Sequence, residues 1–266
     1  MSRTQLRNLM MRVARLERRA SGLIPLQGVD FSGRDLSGKN FSNTDLTGAN
    51  LTKAKLIGAD LTGANLKGAN LTGAKLEGAV LIGADLTGAD LDGADLEKAN
   101  LSNANLSNAI LTYTALVGTV LVYSNLTNAN IKYSVLENAI LLGADLTGAD
   151  LSDSTLSSAS LPKAVLKGAT LIKTNLWGTD LTGVDLSSAN LKGANLELSD
   201  LEGADLTGAT LTNAVLSEAN LSDADLSNAD LTGANTDNTK FKKAKYNDQT
   251  KFPKSLRSVR SLVKVP

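Results

Sequence analysis

The side chains in this sequence that could carry out chemistry are almost all carboxylates. There is no histidine, which removes the usual general base and the commonest metal ligand, and no cysteine, which removes thiol nucleophiles, disulfides and zinc fingers. No stretch has the form of a phosphate loop or a nucleophile elbow. The acidic residues remain, and they follow a period of their own. Gly83 to Glu97 reads GADLTGADLDGADLE, with Leu86, Leu91 and Leu96 five residues apart and an aspartate just before each. Carboxylates gathered on one surface could hold a hard cation, or could bond their own backbone and keep the surface hydrated. The choice depends on the element that positions them.

Neither common secondary structure returns the same face every five residues. A helix turns roughly 140° in five steps and scatters the leucines, and a strand sends successive ones to opposite sides. If the leucines share one core, the chain must change direction once per repeat. Glycine marks the corner: 22 of the 23 glycines fall two residues after a repeat centre, Gly22 being the exception. A type II turn needs positive φ there, which glycine tolerates and asparagine accepts next best. Asn43, Asn103, Asn128 and Asn213 take that slot where glycine is missing, and Pro162 occupies the slot before it. From Leu26 to Leu231 every centre is leucine except Phe31, Phe41 and Ile131. A small residue, mostly alanine, lies two positions before most centres, with Thr114, Thr119, Ser124 and Ser134 as variants and a looser start at Val29, Arg34 and Lys39. Large beside small fills a narrow core, and a period this short is that of a solenoid.

Repeats such as ADLTG (Ala84 to Gly88), ANLKG (Ala64 to Gly68) and ADLSN (Ala224 to Asn228) resemble the A(D/N)LxG unit of the pentapeptide-repeat family, over roughly residues 24–246. The resemblance implies an all-β solenoid, a right-handed quadrilateral β-helix with four pentapeptides per coil. About eleven coils at ~4.8 Å would then give a rod roughly 50–55 Å long. On such a rod Asp185, Asp205 and Asp225 would stack one coil apart. Their expected role is to bond local backbone and solvate the rod, so no metal or cofactor site is predicted. The best-known members of the family resemble a DNA duplex and occupy topoisomerases, which an acidic shaft would suit.

The two ends differ from the shaft. Residues 1–24 carry six arginines against Glu17, a net of +5, and residues 237–266 carry nine basic residues against Asp237 and Asp248, a net of +7, which leaves −12 between them. Residues 1–22 read as a basic helix, because Leu6, Leu9, Val13 and Leu16 are spaced as an a/d seam. Arg12 to Glu17 resembles the short signature of parallel three-stranded coiled coils, with Arg12 and Glu17 pairing between chains. That favours a homotrimer, with a dimer or a cap on the first coil as alternatives. The shaft is assigned to residues 23–246 and a basic capping segment to 247–266. In that segment YNDQTKFP, Tyr246 to Pro253, resembles the closure of many bacterial members, and Leu256, Val259 and Val263 space as a short helix.

One region of the shaft turns apolar on its outward slots: Ile110, Tyr113, Val117, Val120, Val122, Tyr123, Tyr133, Val135, Ile140 and Leu142. Trp177, Ile172 and Leu198 extend it, whereas the face of Leu106, Leu126 and Leu146 stays polar. A cluster on about two coils predicts a contact surface for another protein. The sequence therefore predicts a non-catalytic structural or interaction rod, oligomeric through its N-terminal helix. By analogy this is a spike, fibre or other virion component. The alternative is a cytoplasmic, DNA-mimicking regulator of a nucleic-acid enzyme. No signal peptide, membrane span or direct nucleic-acid contact is predicted.

Overall fold

The computed structural model describes residues 24–256 and 261–266. The predicted N-terminal helix, with Leu6, Leu9, Arg12, Val13, Leu16 and Glu17, lies outside the described residues. From Ile24 onward the chain winds as a solenoid. The residue before each leucine bridges in parallel to the residue twenty positions on: Asp30 to Asn50, Asp35 to Lys55, Asn40 to Asp60. A fourth ladder starts where β1 (Ile24–Pro25) pairs with β2 (Thr44–Asp45). Four ladders mean that four pentapeptides close a coil. The sides are numbered here by those starting residues: Asp30 on the first, Asp35 on the second, Asn40 on the third and Asp45 on the fourth.

One pentapeptide shows why the repeat has its composition. Asp85 N–H donates to the Ala64 carbonyl at 2.9 Å, Leu86 N–H to Asn105 at 2.7 Å and Gly88 N–H to Ser107 at 2.9 Å. Ala89 N–H closes the corner on the Leu86 carbonyl at 2.9 Å. Only Thr87 N–H is left without a backbone acceptor, and Asp85 Oδ1 accepts it at 3.1 Å. An unmet amide is costly, so aspartate or asparagine belongs at that slot. The leucines and alanines are buried along the axis, from Leu26 to Ala244. Where a hydroxyl replaces alanine it reaches a carbonyl, as Thr119 Oγ1 does to Leu96 at 2.8 Å and Ser124 Oγ to Leu121 at 2.7 Å. Among the described residues no buried side-chain nitrogen or oxygen lacks a partner.

The corner slot is less selective than glycine or asparagine alone. Tyr113, Tyr123, Tyr133, Lys53 and Leu198 also sit there, with φ of 54°, 54°, 59°, 54° and 60°. Left-handed backbone costs a residue with a Cβ roughly 1–2 kcal/mol. Two inter-coil bonds flanking each corner hold it in place, and the side chain points to solvent without meeting the core.

At the C-terminal end the register lengthens by one residue: Asp225 bridges Lys245, but Asp230 bridges Lys251. The extra residue is taken up in the predicted closure, where Thr250 Oγ1 donates to the Leu226 carbonyl at 2.9 Å and Asn247 Oδ1 accepts Asn228 N–H at 3.0 Å. Phe252 meets Tyr246 edge-on at 5.6 Å. The short helix expected through Leu256, Val259 and Val263 is corrected at Val263. There β4 (Val263–Lys264) runs parallel to β3 (Lys245–Tyr246). The last coil offers free carbonyls, and Val263 and Val265 N–H donate to Ala244 and Tyr246, both at 2.8 Å. β-branched residues suit such an edge.

The aspartate bonds make stability pH-dependent. The Ser32 N–H and then its hydroxyl hold the Asp30 carboxyl below its ordinary range, and the Thr232 hydroxyl and N–H do the same for Asp230. A carboxyl whose folded pKa is depressed contributes stability above its unfolded value, about 3.9, and loses it as pH falls through the folded value. The melting temperature is therefore expected to fall on titration from about pH 5 to pH 3. A flat profile would show that these bonds do not favour the charged form.

Candidate interaction surface

The structure divides the predicted apolar cluster into groups. On the third side Val120 and Ile140 are bridge partners, and Val122 lies one coil from Leu142, whose carbonyl accepts Tyr123 N–H at 3.0 Å. Val117 stands at the corner leading into that side. Two consecutive coils thus present valine, isoleucine, leucine and tyrosine on one continuous surface. The Tyr123 side chain, 61% exposed, lies over Gly143 of the next coil. Tyr113 and Tyr133 stack at 5.0 Å and 12° on the corner between the first and second sides. Val135, bridged to Ala115, continues from them along the second side. Ile110 stands apart on the first side, between its partners Asp90 and Asn130. Val117, Val120, Val122 and Leu142 are half-buried and the other six are exposed.

The fourth side is polar over the same coils, with Asn125, Thr127, Asp145 and Thr147 facing outward. Asp185, Asp205 and Asp225 follow one another on its ladder, and their Oδ1 atoms accept Ser187, Thr207 and Ser227 N–H at 2.8, 2.8 and 3.0 Å. These carboxylates serve the backbone. Exposed ion pairs such as Lys132–Asp150 at 2.8 Å and Lys67–Asp85 at 3.0 Å tie successive coils, each worth about 0–1 kcal/mol.

Reading the sequence in steps of five missed a longer feature. Val80 and Ile82 occupy the same columns of the third side as Val120 and Val122, and Ile57 precedes them at the corner leading in. Trp177 and Leu198 lie at that corner higher up. Steps of twenty bring these residues into register. The apolar surface is an interrupted stripe along one side: Val80 and Ile82 stand between polar coils at Asp60 and Asn100, and it is broadest at Val120 to Leu142.

The contact between Tyr123 and Gly143 can be tested on its own. A Cβ on Gly143 would stand 2.5 Å from Tyr123 Cε1, whereas one on Gly88 would meet nothing within 4 Å. Both backbones have φ near +60°, so Gly88→Ala should cost about 1 kcal/mol for the conformation alone. Gly143→Ala should melt lower than Gly88→Ala, and Tyr123→Ala in the same chain should remove the difference.

The pattern of pentapeptide repeats matches in eight copies, which together run from residue 26 to residue 235. No curated protein matches the chain. Among solved structures it is similar to HetL, a pentapeptide repeat protein involved in heterocyst differentiation regulation from the cyanobacterium Nostoc sp. strain PCC 7120. Identity is 34%, over 88% of this chain and 94% of that one, with a TM-score of 0.30. It is also similar to Rfr23 from the cyanobacterium Cyanothece 51142, at 37% identity over 41% of this chain and 63% of that one, with a TM-score of 0.21. QnrB1, a plasmid-mediated fluoroquinolone resistance protein, matches at 16% identity over 84% and 92% of the two chains, with a TM-score of 0.30. A repeat pattern that takes in residues 26 to 235, most of the chain, means that this chain belongs to the pentapeptide-repeat proteins.

Proposed function

We propose that the protein is a non-catalytic rod that binds another protein through the apolar stripe on its third side. The observation that supports this is the run Val120, Val122 and Tyr123 beside Ile140 and Leu142, an apolar surface two coils deep next to a polar fourth side. A solenoid is stiff because each coil bonds to its neighbours, so such a surface is held flat and preformed. The spike, fibre and virion reading finds no support among the relatives, and the homotrimer or dimer rests on residues outside those described. The DNA-mimicking reading needs unbroken acidic rows. On the fourth-side ladder Asn65, Asn105, Asn125 and Val165 interrupt the aspartates.

A photoreactive residue placed at Val122 in the full chain, in the cells that make it, should give a protein adduct. The same residue at Thr127, on the polar side, should give none. Adding Leu142→Glu and Ile140→Glu should abolish the Val122 adduct without changing the melting temperature. Equal adducts at both positions would remove the stripe as the binding surface.

A further inference from the structure

Tyr113 and Tyr133 form a second surface feature, on the corner between the first and second sides and apart from the stripe. They are twenty residues apart, so the same corner of consecutive coils presents them at ~4.8 Å. Tyr113 N–H donates to the Lys132 carbonyl at 3.1 Å and Tyr133 N–H to the Ser152 carbonyl at 3.2 Å, which ties both backbones to the coils beside them. The rings stack with centroids 5.0 Å apart and planes 12° from parallel. Both stand outside the core, 64% and 47% exposed. The column holds Gly93 before them and Asp153 after them, so the stack is two rings long.

The chemistry open to such a pair is that of the phenol. A phenol gives up one electron and one proton to a strong one-electron oxidant, and the phenoxyl radical that results carries spin on the ring carbons beside the oxygen. Two such radicals on one corner couple with each other in preference to a second chain, because they are already in contact and oriented. Thiols, which would be oxidised first, are absent from the chain. The other two tyrosines lack this arrangement. Tyr123 stands at a different corner over Gly143, and Tyr246 meets Phe252, which has no phenol.

We propose that Tyr113 and Tyr133 are an oxidative cross-linking site, at which peroxide and a haem peroxidase convert the stacked pair into an intrachain dityrosine. Each phenol loses one electron and one proton, and a Cε–Cε bond forms between the rings. The hydrogens on those two carbons then move to the oxygens as the rings regain aromaticity. Peroxide takes up the two electrons and two protons and leaves as two waters, so the protein becomes two hydrogens lighter. The link joins consecutive coils and closes a loop of twenty residues, which restricts the unfolded chain and stabilises the middle of the rod under oxidising conditions.

Dilute full-length protein treated with peroxide and a haem peroxidase should gain dityrosine fluorescence while keeping the mass of one chain less two hydrogens. Cleavage at lysine should then yield the peptide that ends at Lys132 joined to the one that begins at Tyr133. The linked protein should melt a few degrees higher than the untreated one. Tyr113→Phe and Tyr133→Phe retain a stacked pair of rings, yet each should abolish the product, whereas Tyr123→Phe should leave its yield unchanged. The proposal would be overturned by an intrachain product that persists in Tyr113→Phe or disappears in Tyr123→Phe. Coupling mainly between chains, with a yield that rises with protein concentration, would overturn it too, and a linked protein that melts no higher would reject the staple.

Discussion

Leu126→Asp should abolish cooperative unfolding of the middle coils, with a loss above about 4 kcal/mol. Leu126 is 2% exposed, and its N–H donates to the Asp145 carbonyl at 2.6 Å while its carbonyl accepts Ala129 N–H at 3.0 Å. The side chain lies in the core with leucines, alanines and Ile131, and the nearby Ser124 hydroxyl already donates to the Leu121 carbonyl at 2.7 Å. A carboxylate there would be buried without a partner, and the leucine transfer energy would be lost as well. Asn125→Lys, one residue earlier on the outside, provides the contrast. Its cost is about 1 kcal/mol, because Asn125 Oδ1 accepts Thr127 N–H at 3.0 Å and lysine cannot. Chemical denaturation of both variants checks the assignment. Equal losses would mean that the inward and outward slots are misassigned.

That contrast shows where the sequence was legible. The five-residue period identified Leu126 as inward and Asn125 as outward, since only a chain that turns at every repeat can bury all the leucines. It did not show that Asn125 holds a backbone amide, because the Asx bond depends on which N–H the inter-coil bonds leave over. The sequence marked corners through glycine, yet three tyrosines and Leu198 adopt the same left-handed backbone, held there by bonds to the next coil. Ile57 and Ile82 fall outside the predicted cluster because the columns they share with Val117 and Val122 recur every twenty residues and not every five. At the C-terminal end, Val263 read as helix from its spacing to Leu256 and Val259. Its partner is instead the unpaired edge of β3, a feature that exists only once the coils are stacked.

Removing residues 247–266 should unravel the last coils and leave the rest of the rod protected. Those residues supply the Leu231 N–H with its acceptor, Lys251 at 2.7 Å, and pair β4 on β3. They also place Phe252 against Tyr246 at 5.6 Å and bury Pro253. Without them Leu226, Leu231 and Phe241 lose cover, and the open edge can pair with another chain. Burial of one large apolar side chain is worth ~1.5–3 kcal/mol, and the lost bonds add about 1 kcal/mol each. The terminal coils should therefore open at a cost well below that of the whole rod. Because each coil touches only its neighbours, the loss should stay local. Hydrogen exchange should speed markedly for the amides of Leu211 to Lys245 and remain slow for Leu61 to Asn100, and the truncated protein should aggregate as its concentration rises. Unchanged exchange near Leu231 would show that the segment is an appendage and that the last coil is stable without a cover.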